Sequence, residues 1–166
     1  MTPMTAPLEI ERKFLVATMP DLSEATRSLL RQGYVTLPTD SVEVRLRQTD
    51  DRFVLCLKSG EGIVRTEREV AIDAAQFDAL WPQTDGRRIC KTRWTGSLHD
   101  GLMFELDIFG DDLAPLIMVE VEFRSQGQAG AFVPPDWFGR EVSTDKRFRN
   151  KSLALSGPVQ LPDPLA

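Results

Sequence analysis

Glu9, Glu11 and Lys13 alternate along Glu9-Ile10-Glu11-Arg12-Lys13, close to the start of the chain. In an extended strand residues i, i+2 and i+4 share a face, so these three side chains line up. The two carboxylates then sit roughly 6 to 7 Å apart at their bases, from a rise of about 3.3 Å per residue. Anions at that spacing repel unless a cation lies between them. A hard divalent ion held by carboxylate oxygens meets the need, and Lys13 beside it can grip an anionic substrate. A solvated strand face would carry the same triad with no chemistry attached, so the remaining elements must decide.

Six further segments alternate with period two, the mark of strands whose faces meet different environments. In 42–47, Glu43, Arg45 and Arg47 share one face and Val44 and Leu46 the other. In 53–58, Lys58 points away from the apolar face of Phe53, Leu55 and Leu57. Segment 64–72 puts Arg65, Glu67 and Glu69 on one side, and Lys91 and Arg93 form a shorter pair. In 102–109, Glu105 and Asp107 oppose Phe104 and Leu106; in 117–124, Glu120 and Glu122 oppose Val119 and Val121. Like charges in a row are mildly unfavourable on a plain solvent face. A closed barrel would turn all these faces inward around a polar channel. The competing arrangement is an open sheet with a salt-bridged wet face.

Desolvated Arg and Lys gain most from bidentate contact with phosphate oxygens. The carboxylates among them suit Mg²⁺ or Mn²⁺, which bridges protein and phosphate oxygens. Together these are the ingredients of metal-assisted phosphoryl or nucleotidyl transfer.

The chain resembles the short bacterial triphosphate tunnel metalloenzymes of the CYTH superfamily. The resemblance runs from Leu8 to about Leu155 and rests on the opening Glu9–Val16, on Gln32-Gly33-Tyr34, Val44-Arg45-Leu46-Arg47 and Leu57-Lys58-Ser59. It continues through Arg65-Thr66-Glu67-Arg68-Glu69, Lys91-Thr92-Arg93-Trp94, Phe104-Glu105-Leu106-Asp107 and Val119-Glu120-Val121-Glu122-Phe123. Gly139–Ser143 and Arg149-Asn150-Lys151-Ser152-Leu153-Ala154 complete it. It implies a mainly β fold, a closed eight-stranded antiparallel barrel with peripheral helices. Glu9, Glu11, Glu120 and Glu122 would then hold Mg²⁺ or Mn²⁺, helped by Glu67, Glu69, Glu105 and Asp107. Lys13, Arg45, Arg47, Lys58, Arg65 and Arg93 would bind the triphosphate, with Lys91 near the scissile phosphate and Tyr34 as proton acceptor. A phenol with a pKa near 10 needs neighbouring cations to serve as a base at neutral pH. Short members resemble inorganic triphosphatases (tripolyphosphatases) more than adenylate cyclases or thiamine triphosphatases. A non-catalytic polyphosphate- or nucleotide-binding module would gain nothing from the added carboxylates. A homodimer is in keeping with the family.

Composition sets bounds. At 166 residues the chain is expected to be a single domain, with a core from about 8 to 155 and tails at 1–7 and 157–166. Its 20 Lys and Arg against 25 Asp and Glu give a net charge of −5, which disfavours non-specific nucleic-acid binding. No apolar run approaches the roughly 20 residues that span a bilayer, and no secretory signal is evident, so a cytoplasmic location is expected. Cys56 and Cys90 form no C-x-x-C and read as buried small residues. With His99 as the sole histidine, in a Leu98–Gly101 turn, nucleophilic triads and His-rich metal sites are out of reach.

The spacing of Leu22, Ala25, Leu29 and Leu30 predicts an amphipathic helix over 19–32, ended by Gly33. Asp73 is expected to cap a second helix carrying Phe77, Leu80 and Trp81, stopped by Pro82. A third is predicted over 126–132 and a last one over 148–155, with Trp137 and Phe138 as an apolar anchor between them.

Overall fold

The computed structural model describes residues 10–59 and 66–160; Glu9, Arg65 and both terminal tails fall at least partly outside them. Nine antiparallel strands form one sheet: β1 (Ile10–Val16), β2 (Thr26–Tyr34), β3 (Val42–Thr49), β4 (Arg52–Ser59), β5 (Thr66–Ile72), β6 (Arg88–Ser97), β7 (Met103–Phe109), β8 (Ile117–Phe123) and β9 (Phe138–Glu141). Their order is β5-β4-β3-β2-β6-β7-β8-β1-β9. Two meanders, β2 to β5 and β6 to β8, are joined by the β2–β6 ladder, and β1 adds to β8.

The predicted closed barrel of eight strands is therefore corrected. Among the described residues the sheet is open, with β5 and β9 as its edges. The physical reason lies at β1. Its C-terminal half pairs with β9, through Phe14 opposite Glu141 and Val16 opposite Phe138, which makes β9 and not β1 the edge of the sheet there.

The predicted helix over 19–32 is the second correction, because Thr26–Tyr34 is a central strand. Ladders on both sides, to β3 and to β6, outweigh the helical spacing of a few leucines. Gly33 is not a helix stop. A Cβ there would lie 2.6 Å from the side chain of Thr84, so the close approach of the turn before β6 demands glycine.

Elsewhere local chemistry holds. Helix α1 (Ala74–Leu80) begins in a capping box: the Gln76 N–H donates to Asp73 Oδ1 at 2.7 Å, and the Asp73 N–H donates to Gln76 Oε1 at 2.9 Å. Helix α1 ends just before Pro82, which sits early in a 3₁₀ turn, Trp81–Thr84, where its missing N–H costs nothing. Helix α2 (Gln126–Ala131) starts at a Ser125 cap, and α3 (Asn150–Ser156) follows a short 3₁₀ turn at Lys146–Phe148. No helix among the described residues is long and apolar enough to cross a membrane.

Two cores result, one on each side of the sheet. Phe14, Leu106, Val119, Val121 and Phe123 pack with Phe138 and Ala129 under α2. Tyr34, Ile89, Phe109 and Met118 pack instead with Phe148 and Leu153, beneath α3. The second set shares strand faces with charged residues: Ile89 precedes Lys91 and Arg93, Phe109 follows Glu105 and Asp107, and Met118 precedes Glu120 and Glu122. On β6, β7 and β8 the inner face is thus charged along one half and apolar along the other, and α3 packs on the apolar half.

Candidate active site

Eight strands contribute to one cavity of about 640 Å³ on the concave side. Among the described residues five cations line it, Lys13, Arg45, Arg47, Lys58 and Arg93, with six carboxylates, Glu11, Glu67, Glu69, Glu105, Glu120 and Glu122. The charged faces of the sheet converge; they are not spread over a wet exterior.

One wall comes from β3, β4 and β5. Arg45 reaches Glu67 at 3.0 Å, Lys58 reaches the same carboxylate at 3.1 Å, and Arg47 reaches Glu69 at 2.7 Å. The carboxylates are half exposed while Arg45 is mostly covered, so the guanidinium groups are held in place with donors to spare. Buried Cys56 donates its S–H to Glu67 Oε1 at 3.0 Å. Burial, reinforced by that bond, pushes the thiol up to about 11.

The opposite wall comes from β1, β7 and β8. Glu11 stands directly across from Glu122, and Glu105 directly across from Glu120. Directly opposed residues have Cβ atoms about 4.5 to 5.5 Å apart, and like charges so placed destabilise a sheet. Lys13 answers part of this through a 2.9 Å ion pair with Glu120. Burial, together with Glu120 and Asp107, still raises the Glu105 carboxyl above its ordinary value despite Arg93. Such a donor set fits a hard divalent cation, which would relieve both opposed pairs.

A second acidic group fits a metal poorly. Ligand atoms of Cys56, Glu67 and Glu69 lie within 4.8 Å of one another. Those carboxylates already serve Arg45, Lys58 and Arg47, and the thiol keeps its proton at neutral pH.

At the floor Asp107, 1% exposed, joins two cations. Lys91 donates to its Oδ2 at 2.6 Å, and Arg93 donates to both oxygens at 2.7 Å. Burial alone would raise this carboxyl, but the bonds from Arg93 and the charge of Lys91 hold it below the usual carboxylate range. Burial lowers the Lys91 ammonium against the pull of Asp107. Arg93 also touches Glu105 and comes within 4.0 Å of Glu120, tying floor to carboxylate wall.

No protein-family model matches the chain. It is 58% identical over 150 residues to an inorganic triphosphatase of Nitrosomonas europaea, covering 90% of this chain and 99% of that one. It is 31% identical over 146 residues to an inorganic triphosphatase of Acetivibrio thermocellus, covering 87% and 92%. A crystal structure of an inorganic triphosphatase superposes with a TM-score of 0.80 at 56% identity, over 92% of this chain and 97% of that one. The chain belongs to the inorganic triphosphatase family.

In this inorganic triphosphatase family member the cavity gathers Glu11, Glu120 and Glu122 with Lys13, Arg45, Arg47, Lys58 and Arg93. Lys91 lies just beneath them, on Asp107, whose carboxylate is shared between Lys91 and Arg93. Glu9 and Arg65 lie outside the described residues. Tyr34 stands behind the wall, 2% exposed, in the apolar cluster under α3. Its hydroxyl accepts from Gln32 Nε2 at 2.9 Å, and burial raises its pKa although adjacent Arg45 opposes the shift.

Two cavity residues escaped the sequence reading, Gln32 and Asn150. Gln32 was hidden by the mistaken helix. Asn150 lies in the Arg149–Ala154 segment, whose only visible signal was the resemblance itself. Lys151, next to it, reaches Glu43 at 2.6 Å and fastens α3 to β3.

Proposed function

We propose that this chain hydrolyses inorganic triphosphate to diphosphate and orthophosphate with the help of Mg²⁺ or Mn²⁺. One observation carries the proposal: a single cavity sets a wall of donor-only cations, Arg45, Arg47 and Lys58, against directly opposed carboxylates, Glu11 with Glu122 and Glu105 with Glu120. Anion binding explains the first wall and leaves the second without purpose. The names of the relatives agree.

Arg45, Arg47, Lys58 and Lys13 would hold the phosphate oxygens, Arg47 and Arg45 through the forked geometry of guanidinium. Arg93 and Lys91 would stabilise charge gathering on the reacting phosphate, in a setting where Asp107 fixes both. Glu11, Glu120 and Glu122, with Glu105 beside them, would hold the metal. When bound, such an ion neutralises phosphate charge and helps to orient the substrate. Tyr34 would take a proton from the attacking water in the fraction of molecules where it is ionised, a fraction its burial keeps small at neutral pH despite Arg45.

Purified protein should be incubated with inorganic triphosphate, ATP and thiamine triphosphate, with and without Mg²⁺, and orthophosphate release followed. Metal-dependent release, fastest from inorganic triphosphate, is the expected result. Preference for either organic triphosphate, or cyclic nucleotide from ATP, would replace the substrate assignment. Tight binding of all three without turnover would make the chain a binding module.

A further inference from the structure

A recess of about 70 Å³ opens off the main cavity, lined in part by Gln32, Arg47, Lys91, Arg93 and Asn150. All but Lys91 also line the main cavity, so the two spaces adjoin. The recess has room for about two waters, at roughly 30 Å³ each. Arg47, Lys91 and Arg93 can only donate hydrogen bonds. Gln32 spends an amide N–H on Tyr34. Asn150 offers the opposite: its Oδ1 is buried and has no hydrogen-bond partner among the described residues.

Arg45 Nε is the second such buried atom, on the wall of the main cavity. The two make contrary demands. Arg45 Nε–H needs an acceptor, which a phosphate oxygen supplies. A carbonyl oxygen needs a donor, and an unprotonated phosphate oxygen carries none. Leaving such an acceptor buried and unmet is costly, because its hydration is lost with nothing in return. Water is the donor that fits the space. Asn150 is also well fixed, at the start of α3 beside the Lys151–Glu43 ion pair and with Leu153 in the core.

We propose that Asn150 is the positioning residue for the water that attacks triphosphate, a role that rests on the triphosphatase reading above. A water donating one O–H to Asn150 Oδ1 turns a lone pair toward the main cavity, where Arg47 and Arg93 hold the terminal phosphate. Its oxygen bonds to phosphorus as the bridging P–O bond breaks, and that electron pair leaves with diphosphate. The O–H aimed at Asn150 stays on the new orthophosphate. The other proton is given up to solvent, by way of Tyr34 in the fraction of molecules where that phenol is ionised. The three cations alone would hold a water by its lone pairs, turned away from phosphorus.

The test compares the wild type with Asn150→Ala and Asn150→Asp, reading kcat and KM for inorganic triphosphate and Kd for imidotriphosphate, whose P–N–P bridges resist hydrolysis. A wild type that releases no orthophosphate would defeat the triphosphatase reading itself. With an active wild type, Asn150→Ala should lower kcat roughly tenfold or more and leave the imidotriphosphate Kd within about twofold, the split expected when orientation is lost and binding kept. Asn150→Asp, which retains an acceptor oxygen, should recover most of that kcat. A kcat for Asn150→Ala within about twofold of wild type, or a parallel loss of affinity, overturns the role. Should Asn150→Ala fail to fold, a high-resolution crystal structure of the wild type with imidotriphosphate decides. Water on the Asn150 side-chain oxygen, facing the terminal phosphorus, supports the role; a dry recess overturns it.

Discussion

Glu11 and Glu122 face each other directly across the β1–β8 ladder, two carboxylates at the same level on the wall of one cavity. A sheet built for stability alone would pair either one with Lys or Thr. Glu11→Gln takes one charge out of that pair and weakens the donor set for a metal. Metal charge stabilisation is worth several kcal/mol, so kcat should fall on the order of 10²-fold or more. Orthophosphate release across a Mg²⁺ titration checks this; undiminished turnover would remove Glu11 from the metal site.

Arg45→Ala should act on capture. A hydrogen bond to a charged group contributes about 1.5–3 kcal/mol, so KM should rise roughly 10- to 100-fold with a smaller change in kcat. Steady-state kinetics on inorganic triphosphate reads the split directly. Loss confined to kcat would move Arg45 from binding to the chemical step.

Among the described residues Asp107 is the one carboxylate bonded to both Lys91 and Arg93, and Asp107→Asn removes it. Breaking one side of a buried ionic cluster costs about 3–5 kcal/mol, so the melting temperature should drop sharply. The pH dependence has a definite sign. The folded pKa of Asp107 lies below its ordinary value of 3.8, so its contribution is complete above that value and is lost as pH falls through the depressed folded one. Wild type and Asp107→Asn should thus differ widely at neutral pH and converge in strong acid, as urea titrations at several pH values will show.

Tyr34 carries a raised pKa, which ties any proton-accepting role to alkaline solution. Only the phenolate accepts, and its fraction grows tenfold per pH unit until the pKa is reached. Turnover should climb with pH beyond neutrality, and the climb should vanish in Tyr34→Phe. A pH–rate profile unchanged by that substitution would leave Tyr34 as a packing residue that holds Gln32.

Most strands were legible because one face is apolar and the other charged, as in β8, where Val119 and Val121 alternate with Glu120 and Glu122. Strand β2 was not, since Leu29 and Leu30 are adjacent and Leu29 is 51% exposed, leaving helical spacing as the stronger local signal. Strand β9 has four residues, too few for a period to show. Its pairing with β1 is also why the barrel was misjudged: edge occupancy is a property of the assembled sheet. The cation and carboxylate walls could be read from alternation, but the recess could not. Asn150 arrives from a helix distant in sequence, and an unmet acceptor exists only once the surrounding donors are in place.

The inner faces of the strands turn from charged to apolar where Phe148 and Leu153 sit against Met118, Phe109 and Ile89. A linear polyanion meeting that greasy stopper finds neither charge nor donor to carry it further along the strands. Such an end would favour a substrate whose inward tip is a bare phosphate over one that carries a substituent there.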